Sequence, residues 1–333
     1  MSIEVRETTA TALPLRLFRS GSYGRLAVLR DYGIVFAFAA LFLALSLASE
    51  PFLTKRNLLN ILDQNAPVGI IAVGSTLVFI AGGFDLSVGS VYAIAGVTAA
   101  LLVPHVGVEL ALIGGLLIGL GFGVANGILT TVGRINAFVA TLAMSIIIGG
   151  IGFVMTGGLL VTVTDPGFAT LGQGSIGEVT YTTLIWLGFT LLCGFLLSRT
   201  IFGRAIYATG GNMEAARLSG LRVGIIRGAC YAISGLSAGL AGILVASRVS
   251  TGQADAGGFS LAVTAVAAVV IGGTSILGGE GAVWRTVLGV LLLALIGNGF
   301  NLLALDPTYQ DIVRGGIIIS AVGLDAWVRR TRG

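Results

Sequence analysis

Residues 198–227 read SRTIFGRAIYATGGNMEAARLSGLRVGIIR, a polar, arginine-rich interruption flanked on both sides by apolar runs of membrane-spanning length. Five arginines (Arg199, Arg204, Arg217, Arg222, Arg227) share it with a single acid, Glu214. Gly210 and Gly211 predict a turn, and Asn212 is placed to cap a helix over 213–219. Glu214 falls in the first turn of that helix, where a negative charge favours the helix dipole. Gly220 can stop it through a left-handed C-cap. A helix-forming segment in the longest basic loop of an oily chain presents a surface to a partner in water.

The rest of the composition agrees with a membrane setting. Of 333 residues, 55% are apolar and only 10% charged, and the mean hydropathy is +0.99. Soluble domains carry roughly 25% charged residues, so a water-soluble fold is excluded. Glycine is abundant at 52 residues, as expected where helices approach closely or break in lipid. The 19 basic residues exceed the 15 acidic ones, but their placement follows membrane topology rather than a nucleic-acid surface. Cys193 and Cys230 both lie in apolar segments, which suits a reduced, inert pair better than a disulfide framework.

A spanning helix needs about 20 apolar residues. Ten segments qualify: 33–48, 66–81, 86–103, 110–132, 137–155, 182–197, 226–246, 259–271, 283–305 and 312–328. The second and eighth are short and each runs into a Gly-Gly pair, as a helix broken within the bilayer would. With the N-terminus inside, fifteen basic residues are internal, against four outside: Lys55, Arg56, Arg248 and Arg314. The positive-inside rule selects that orientation. The expected organisation is a cytoplasmic tail over 1–32 and a single transmembrane domain over 33–328. That domain carries the cytoplasmic loop 198–227, and a second cytoplasmic tail covers 329–333. The largest external loop, 156–181, carries Asp165 and Glu178 and no Lys or Arg.

Gly115, Gly119, Gly123 and Gly127 recur every fourth residue in the fourth segment, and Gly235 and Gly239 repeat the spacing in the seventh. Such rows allow close backbone approach between helices. FIAGGFDLSVG over 79–89 and VIGGTSILGG over 270–279 are faintly alike, suggesting an internal repeat. Within GGFDLSVGS, 82–90, no lysine completes a phosphate loop. Asp85 or Ser87 can cap the helix that follows, or Asp85 can line a polar pathway. No ionisable residue falls in the middle of a predicted span, and His105, after Pro104, reads as a surface loop residue. Ion-driven carriers usually show acidic or histidine relays in the membrane, so self-powered transport is disfavoured. An intramembrane hydrolase fails for want of a nucleophile–base pair or metal cluster. The polar residues inside spans are neutral, among them Ser75, Thr76, Asn126, Thr141, Ser145, Thr264, Asn298 and Asn301. They suit an uncharged, hydroxyl-rich solute, or act as glue between helices. The candidate pathway set is Asp85, Ser87, Asn126, Thr141, Ser145, Asn298 and Asn301.

These residues resemble a known family. Glu214-Ala215-Ala216 followed by Gly220 is similar to the EAA–x–x–x–G element of ATP-binding-cassette (ABC) importer permeases. The context 209–220 resembles the coupling loop of bacterial sugar permeases of the ribose, xylose and autoinducer-2 type, within the branched-chain amino acid permease superfamily. GGFDLSVGSVYAIAG resembles the GG-[IF]-DLSVG stretch of that family, with Phe84 where many relatives carry isoleucine. Tyr231-x-x-Ser234-Gly235 and Gly272-Gly273-Thr274-x-x-x-Gly278-Gly279-x-Gly281 resemble later signatures. The resemblance covers about 58–328. It implies an all-α, type II-like permease with about ten transmembrane helices and both termini cytoplasmic, working in the bacterial inner membrane. It implies no catalytic residue, metal or cofactor in this chain, since ATP binds to a partner. The implied partners are a cytoplasmic ABC ATPase subunit, a periplasmic sugar-binding protein and a second permease copy or paralogue. The ATPase is implied to dock at Gly210, Gly211, Asn212, Glu214, Ala215, Ala216, Arg217 and Gly220. Nucleoside or branched-chain amino acid transport, a secondary carrier or channel, and a non-transporting scaffold remain the alternatives at this point.

Overall fold

The computed structural model describes residues 23–306, together with 308–310, 312, 313, 315, 316, 319, 320 and 323. The tail 329–333 and most of 1–32 lie outside the described residues, as does much of the predicted tenth segment. Among the described residues, seven helices are long and apolar enough to cross a membrane: α2 (Lys55–Ile80), α3 (Val88–Val106), α4 (Val108–Thr131), α5 (Ala137–Thr156), α7 (Tyr181–Arg199), α10 (Val223–Val249) and α12 (Val283–Leu302). Five more α-helices are α1 (Tyr23–Ala48), α6 (Pro166–Gln173), α8 (Ile201–Gly211), α9 (Met213–Leu218) and α11 (Gly258–Ile271). A 3-10 turn over Glu50–Leu53 and two antiparallel pairs of two-residue strands complete the described elements: β1 (Val161–Thr162) with β4 (Thr251–Gly252), and β2 (Ser175–Ile176) with β3 (Val179–Thr180).

The bundle is built around α10, flanked by α2, α3 and α4. Its buried side is small, with Ser234, Gly235, Ala238, Gly239, Ala241 and Gly242 among its residues. The glycine row of α4 meets it face to face. A Cβ added at Gly119 would stand 2.7 Å from Gly235 O and 2.8 Å from Gly239 Cα, and one at Gly127 would stand 3.0 Å from Gly228 Cα. The large side chains point the other way: Leu110, Ile113, Leu117, Ile128, Ile146, Val154, Leu191 and Phe195 of α4, α5 and α7 are exposed. Small residues inside and large apolar residues outside is the arrangement that lipid favours, because tails solvate leucine as well as a protein core does.

Several local expectations change. The second span is not short. α2 begins at Lys55, capped by the Thr54 hydroxyl, and carries Pro67 in its interior. Its first three turns are rich in carboxamides, so a hydropathy window misses them although the helix is continuous. The eighth segment does stay short: α11 has 14 residues, about 21 Å at 1.5 Å per residue against a ~30 Å hydrocarbon core. Gly210 and Gly211 are the last turn of α8 rather than a turn. The loop 156–181, expected to be external, contains α6, N-capped by Asp165 with Pro166 at its first position. His105 is exposed, as expected, but in the last turn of α3 rather than in a loop. Cys193 and Cys230 are buried and unpaired.

The connections sort to the two ends of the bundle. At one end the Lys55–Glu178 ion pair joins α2 to the β2–β3 hairpin. There too, Arg248 of α10 reaches Asp63 of α2 at 2.7 Å, and the Thr180 hydroxyl donates to the same carboxylate at 2.5 Å. Residues 81–87, 132–136 and 272–282 gather with α8 and α9 at the opposite end. The FIAGG and VIGG runs both end a helix there and touch: the Gly279 N–H donates to Ile80 O at 2.9 Å. α2 and α11 thus both end at this side of the bundle.

Candidate functional site

α9 is six residues long, too short to be stable on propensity alone, and every one of its ends is tied. The Asn212 carboxamide accepts from the Ala215 N–H at 2.9 Å. At the other end the Gly220 N–H donates to Arg217 O at 3.0 Å and the Leu221 N–H to Ala216 O at 3.1 Å, the pairing of a Schellman stop. Gly220 sits at φ +85°, which only glycine adopts cheaply. Ala216 is buried against the bundle, while Glu214, Arg217 and Leu218 point outward. Arg217 donates to the Glu214 carboxylate at 2.7 Å, and that hydrogen bond, with the carboxylate's charge, holds the guanidinium above its usual pKa. Both side chains are more than 60% exposed, so the pair adds little stability and chiefly fixes a charge pattern on the surface. Leu218 is 78% exposed. A cleft of about 730 Å³ opens beside the helix, with Arg134, Arg217 and Arg227 on its walls.

Below α9, backbones meet with nothing between them. A Cβ at Gly210 would overlap Ile80 O and lie 2.6 Å from Gly279 N, whereas one at Gly211 meets nothing within 4 Å. Tyr207 of α8 donates to Gly281 O at 2.8 Å, and burial raises its pKa so that it stays a neutral donor. The C-terminus of α2, the end of α8 and the loop 272–282 thus form one glycine junction.

From this junction the chain enters the first cluster of candidate residues. Asp85 is 1% exposed. It accepts from Ser87 N (3.0 Å), Ser87 Oγ (2.7 Å) and Ser234 Oγ of α10 (2.9 Å). Asn126 of α4 donates to Ser87 Oγ at 2.7 Å. Thr141 of α5 accepts from Leu86 N at 3.1 Å, and Ser145 bonds Ser90 at 2.8 Å. Tyr231 of α10 bonds both the N–H and the carbonyl of Phe84. Phe84 itself packs between Phe79 and Phe138, with ring centroids 4.9 and 5.9 Å away. Five of the seven candidate pathway residues therefore form one buried network that fastens the start of α3 to α4, α5 and α10. Asp85→Ala would strand these donors, at about 1–3 kcal/mol for each buried group left unpaired. Reduced accumulation in membranes, measured by immunoblot, is the expected result. Normal accumulation with lost uptake would assign Asp85 to the transport step instead.

Asn298 and Asn301 lie elsewhere. They line a cavity of about 260 Å³ between the N-terminal part of α2 and the C-terminal part of α12. α2 contributes Asn57, Asn60, Gln64 and Asn65, and Gln310 adds a further carboxamide. Asn57 and Asn298 form a reciprocal amide pair, each donating to the other, at 3.1 and 2.7 Å. Ile61, Leu293, Ala294 and Gly297 complete the wall. The α2 members were not legible as site residues because they precede the apolar part of the helix. Their signal is the spacing 57, 60, 64, 65, one helical face. Tyr231 and Ser234 were quoted for resemblance only, and their bonds to 84–85 depend on tertiary packing.

A family model described as a branched-chain amino acid transport system permease component matches residues 57–322. The chain belongs to that permease family. Among its relatives, the ribose import permease protein RbsC of Escherichia coli K12 is 40% identical over 305 residues, covering 90% of this chain and 94% of the relative. The L-arabinose ABC transporter permease protein AraH of Azospirillum brasilense is 38% identical over 305 residues, covering 90% and 88%. RbsC of Bacillus subtilis is 38% identical over 301 residues, covering 90% and 93%. No solved structure matches the chain. Family and helices together make it an all-α, multi-pass permease component of the bacterial inner membrane.

Proposed function

We propose that this permease component is the membrane-spanning subunit of an ATP-driven importer of a monosaccharide, with α9 as the helix on which a separate cytoplasmic ATPase subunit docks. The observation that carries this reading is the construction of α9. Its base is clamped by Asn212, Ala216 and the Gly220 stop, while Glu214, Arg217 and Leu218 are left outward. A rigid, short element whose two exposed apolar residues, Met213 and Leu218, flank the Glu214–Arg217 pair is built to be pushed, not to be buried in its own chain. Relatives named for ribose and L-arabinose import support the cargo class.

In this reading the end of the bundle bearing α8 and α9 is cytoplasmic. That end gathers Arg134, Arg199, Arg204, Arg217, Arg222, Arg227 and Arg285, as the positive-inside rule requires. The full count is ten spans in one domain over 33–328, with both termini cytoplasmic. A second permease copy or paralogue and a periplasmic sugar-binding protein complete the importer, and ATP is bound by the ATPase alone. Closure of the ATPase dimer moves α9. The Gly210–Ile80–Gly279 contact and the Tyr231–Phe84 and Ser234–Asp85 bonds pass that motion to α2, α3 and α10. Alternating access follows as a shift between two arrangements driven from outside the chain.

The test is retention of the ATPase during purification. Glu214→Arg or Leu218→Asp is expected to weaken co-purification of the ATPase by about tenfold, the scale of a hot-spot loss, with membrane insertion unchanged. Wild-type ATPase retention and uptake in both variants would overturn the docking assignment. The family description leaves a branched-chain amino acid as the rival cargo, and competition between sugars and such amino acids for ATP-dependent uptake decides between them.

A further inference from the structure

The cavity between α2 and α12 is lined mainly by side-chain amides. Among the described residues, seven of the eleven that line it are carboxamides and none is ionisable. A carboxamide offers two N–H donors and a carbonyl acceptor with two lone pairs, so it matches a hydroxyl whichever way that hydroxyl turns. It offers no counter-charge to the carboxylate or ammonium of a zwitterion, whose burial without a partner is costly. The chemistry selects a neutral solute with several hydroxyls.

Two further observations point to a ligand rather than to structural glue. Asn60, Gln64 and Asn301 are exposed, and their side chains make no hydrogen bond within the described residues. On α2 the stripe rises about 12 Å from Asn57 to Asn65 at 1.5 Å per residue, too deep to be accounted for as headgroup contact alone. Open amides turned to hydrocarbon would each cost several kcal/mol, so this face borders water or a partner subunit. In addition, the Asn57–Asn298 pair closes the groove by linking the two helices with neutral hydrogen bonds only. Hydroxyls can replace such bonds one for one, whereas an ion pair or apolar contact could not be exchanged so cheaply.

We propose that this cavity is a monosaccharide-binding station within the permease, and that an entering sugar takes over the hydrogen bonds of the Asn57–Asn298 pair. This rests on the sugar-importer reading above. At about 260 Å³ the cavity falls just below the roughly 300–1,000 Å³ of sites for drug-sized ligands, which suits a single sugar ring. Among the described residues its walls hold no aromatic platform, so binding is weak. Weak binding suits a transit site, which must release what it admits. The station therefore discriminates by hydroxyl arrangement after the binding protein has delivered its load.

The experiment uses the assembled importer in proteoliposomes, with radiolabelled ribose and L-arabinose as probes. Asn60→Leu and Asn301→Leu are expected to lower uptake of the preferred sugar by about tenfold at saturating binding protein, with ATPase co-purification retained. The ratio of ribose to L-arabinose uptake is expected to shift by about threefold or more, a readout that a merely structural role would not move. Asn60→Ser and Asn301→Ser, which keep a hydrogen-bonding group, serve if leucine impairs insertion; their expected signature is the changed ratio with a smaller rate loss. Wild-type rates and an unchanged ratio in the leucine variants, or in the serine variants where leucine blocks insertion, would overturn the station while leaving the sugar importer standing. Wild-type uptake of a branched-chain amino acid and of neither sugar would overturn the importer reading, and the station with it.

Discussion

Gly235→Val is expected to leave almost no assembled protein in the membrane, measured as monodisperse material after detergent extraction. The Cβ alone would overlap Gly119 O and stand 2.6 Å from Gly123 Cα and 2.7 Å from Gly123 N. These are backbone atoms of α4, so no flexible side chain can turn aside. Relief requires α4 and α10 to separate, and that opens the longest packed seam in the bundle. Overpacking in a core costs about 1–3 kcal/mol even where side chains can adapt, and a native state commonly holds only about 5–15 kcal/mol in reserve. The control lies on the same seam helix. An added Cβ at Gly121 of α4 meets nothing within 4 Å, so Gly121→Val is expected to accumulate as wild type does. Equal accumulation of the two variants would show that the α4–α10 contact does not hold the fold.

The second large effect separates two neighbouring glycines. Gly210→Ala is expected to cut ATP-dependent uptake by about tenfold or more, an activation cost of ~1.4 kcal/mol or above. Gly211→Ala is expected to stay within about twofold. At Gly210 the methyl group would overlap the Ile80 carbonyl that accepts the Gly279 N–H, while at Gly211 it faces open space. The first change wedges apart α8, α2 and the loop 272–282 directly beneath α9, on the proposed route of force. A Gly210→Ala variant with normal uptake would remove that junction from the coupling path.

How far these results could be foreseen differs from residue to residue. The cap at Asn212, the short helix and the left-handed stop at Gly220 were legible because each is decided by neighbours within four or five residues. So were the glycine rows, whose period of four marks one face of each helix. The sorting of arginines to one end followed from counting spans. The start of α2 was not legible, since its first three turns put carboxamides where a hydropathy reading demands apolar side chains. Nor was α8 seen: its glycines suggested a turn, although Thr200 caps it by accepting from Gly203 N at 3.0 Å.

By itself, then, the sequence determined that this is a helical membrane protein with a short capped helix in its basic loop, and which glycines form smooth faces. Those properties come from local propensity, capping and hydropathy, all of which act over a few residues. Only the tertiary structure decided which faces meet. It paired the α4 row with α10, divided the candidate polar residues into a buried network around Asp85 and an open cavity at Asn298 and Asn301, and set Gly210 apart from Gly211. Asn57 and Asn298 lie 241 residues apart in sequence yet 2.7 Å apart across two helices. No spacing along the chain encodes such a contact. It arises because close packing leaves each helix a single set of neighbours.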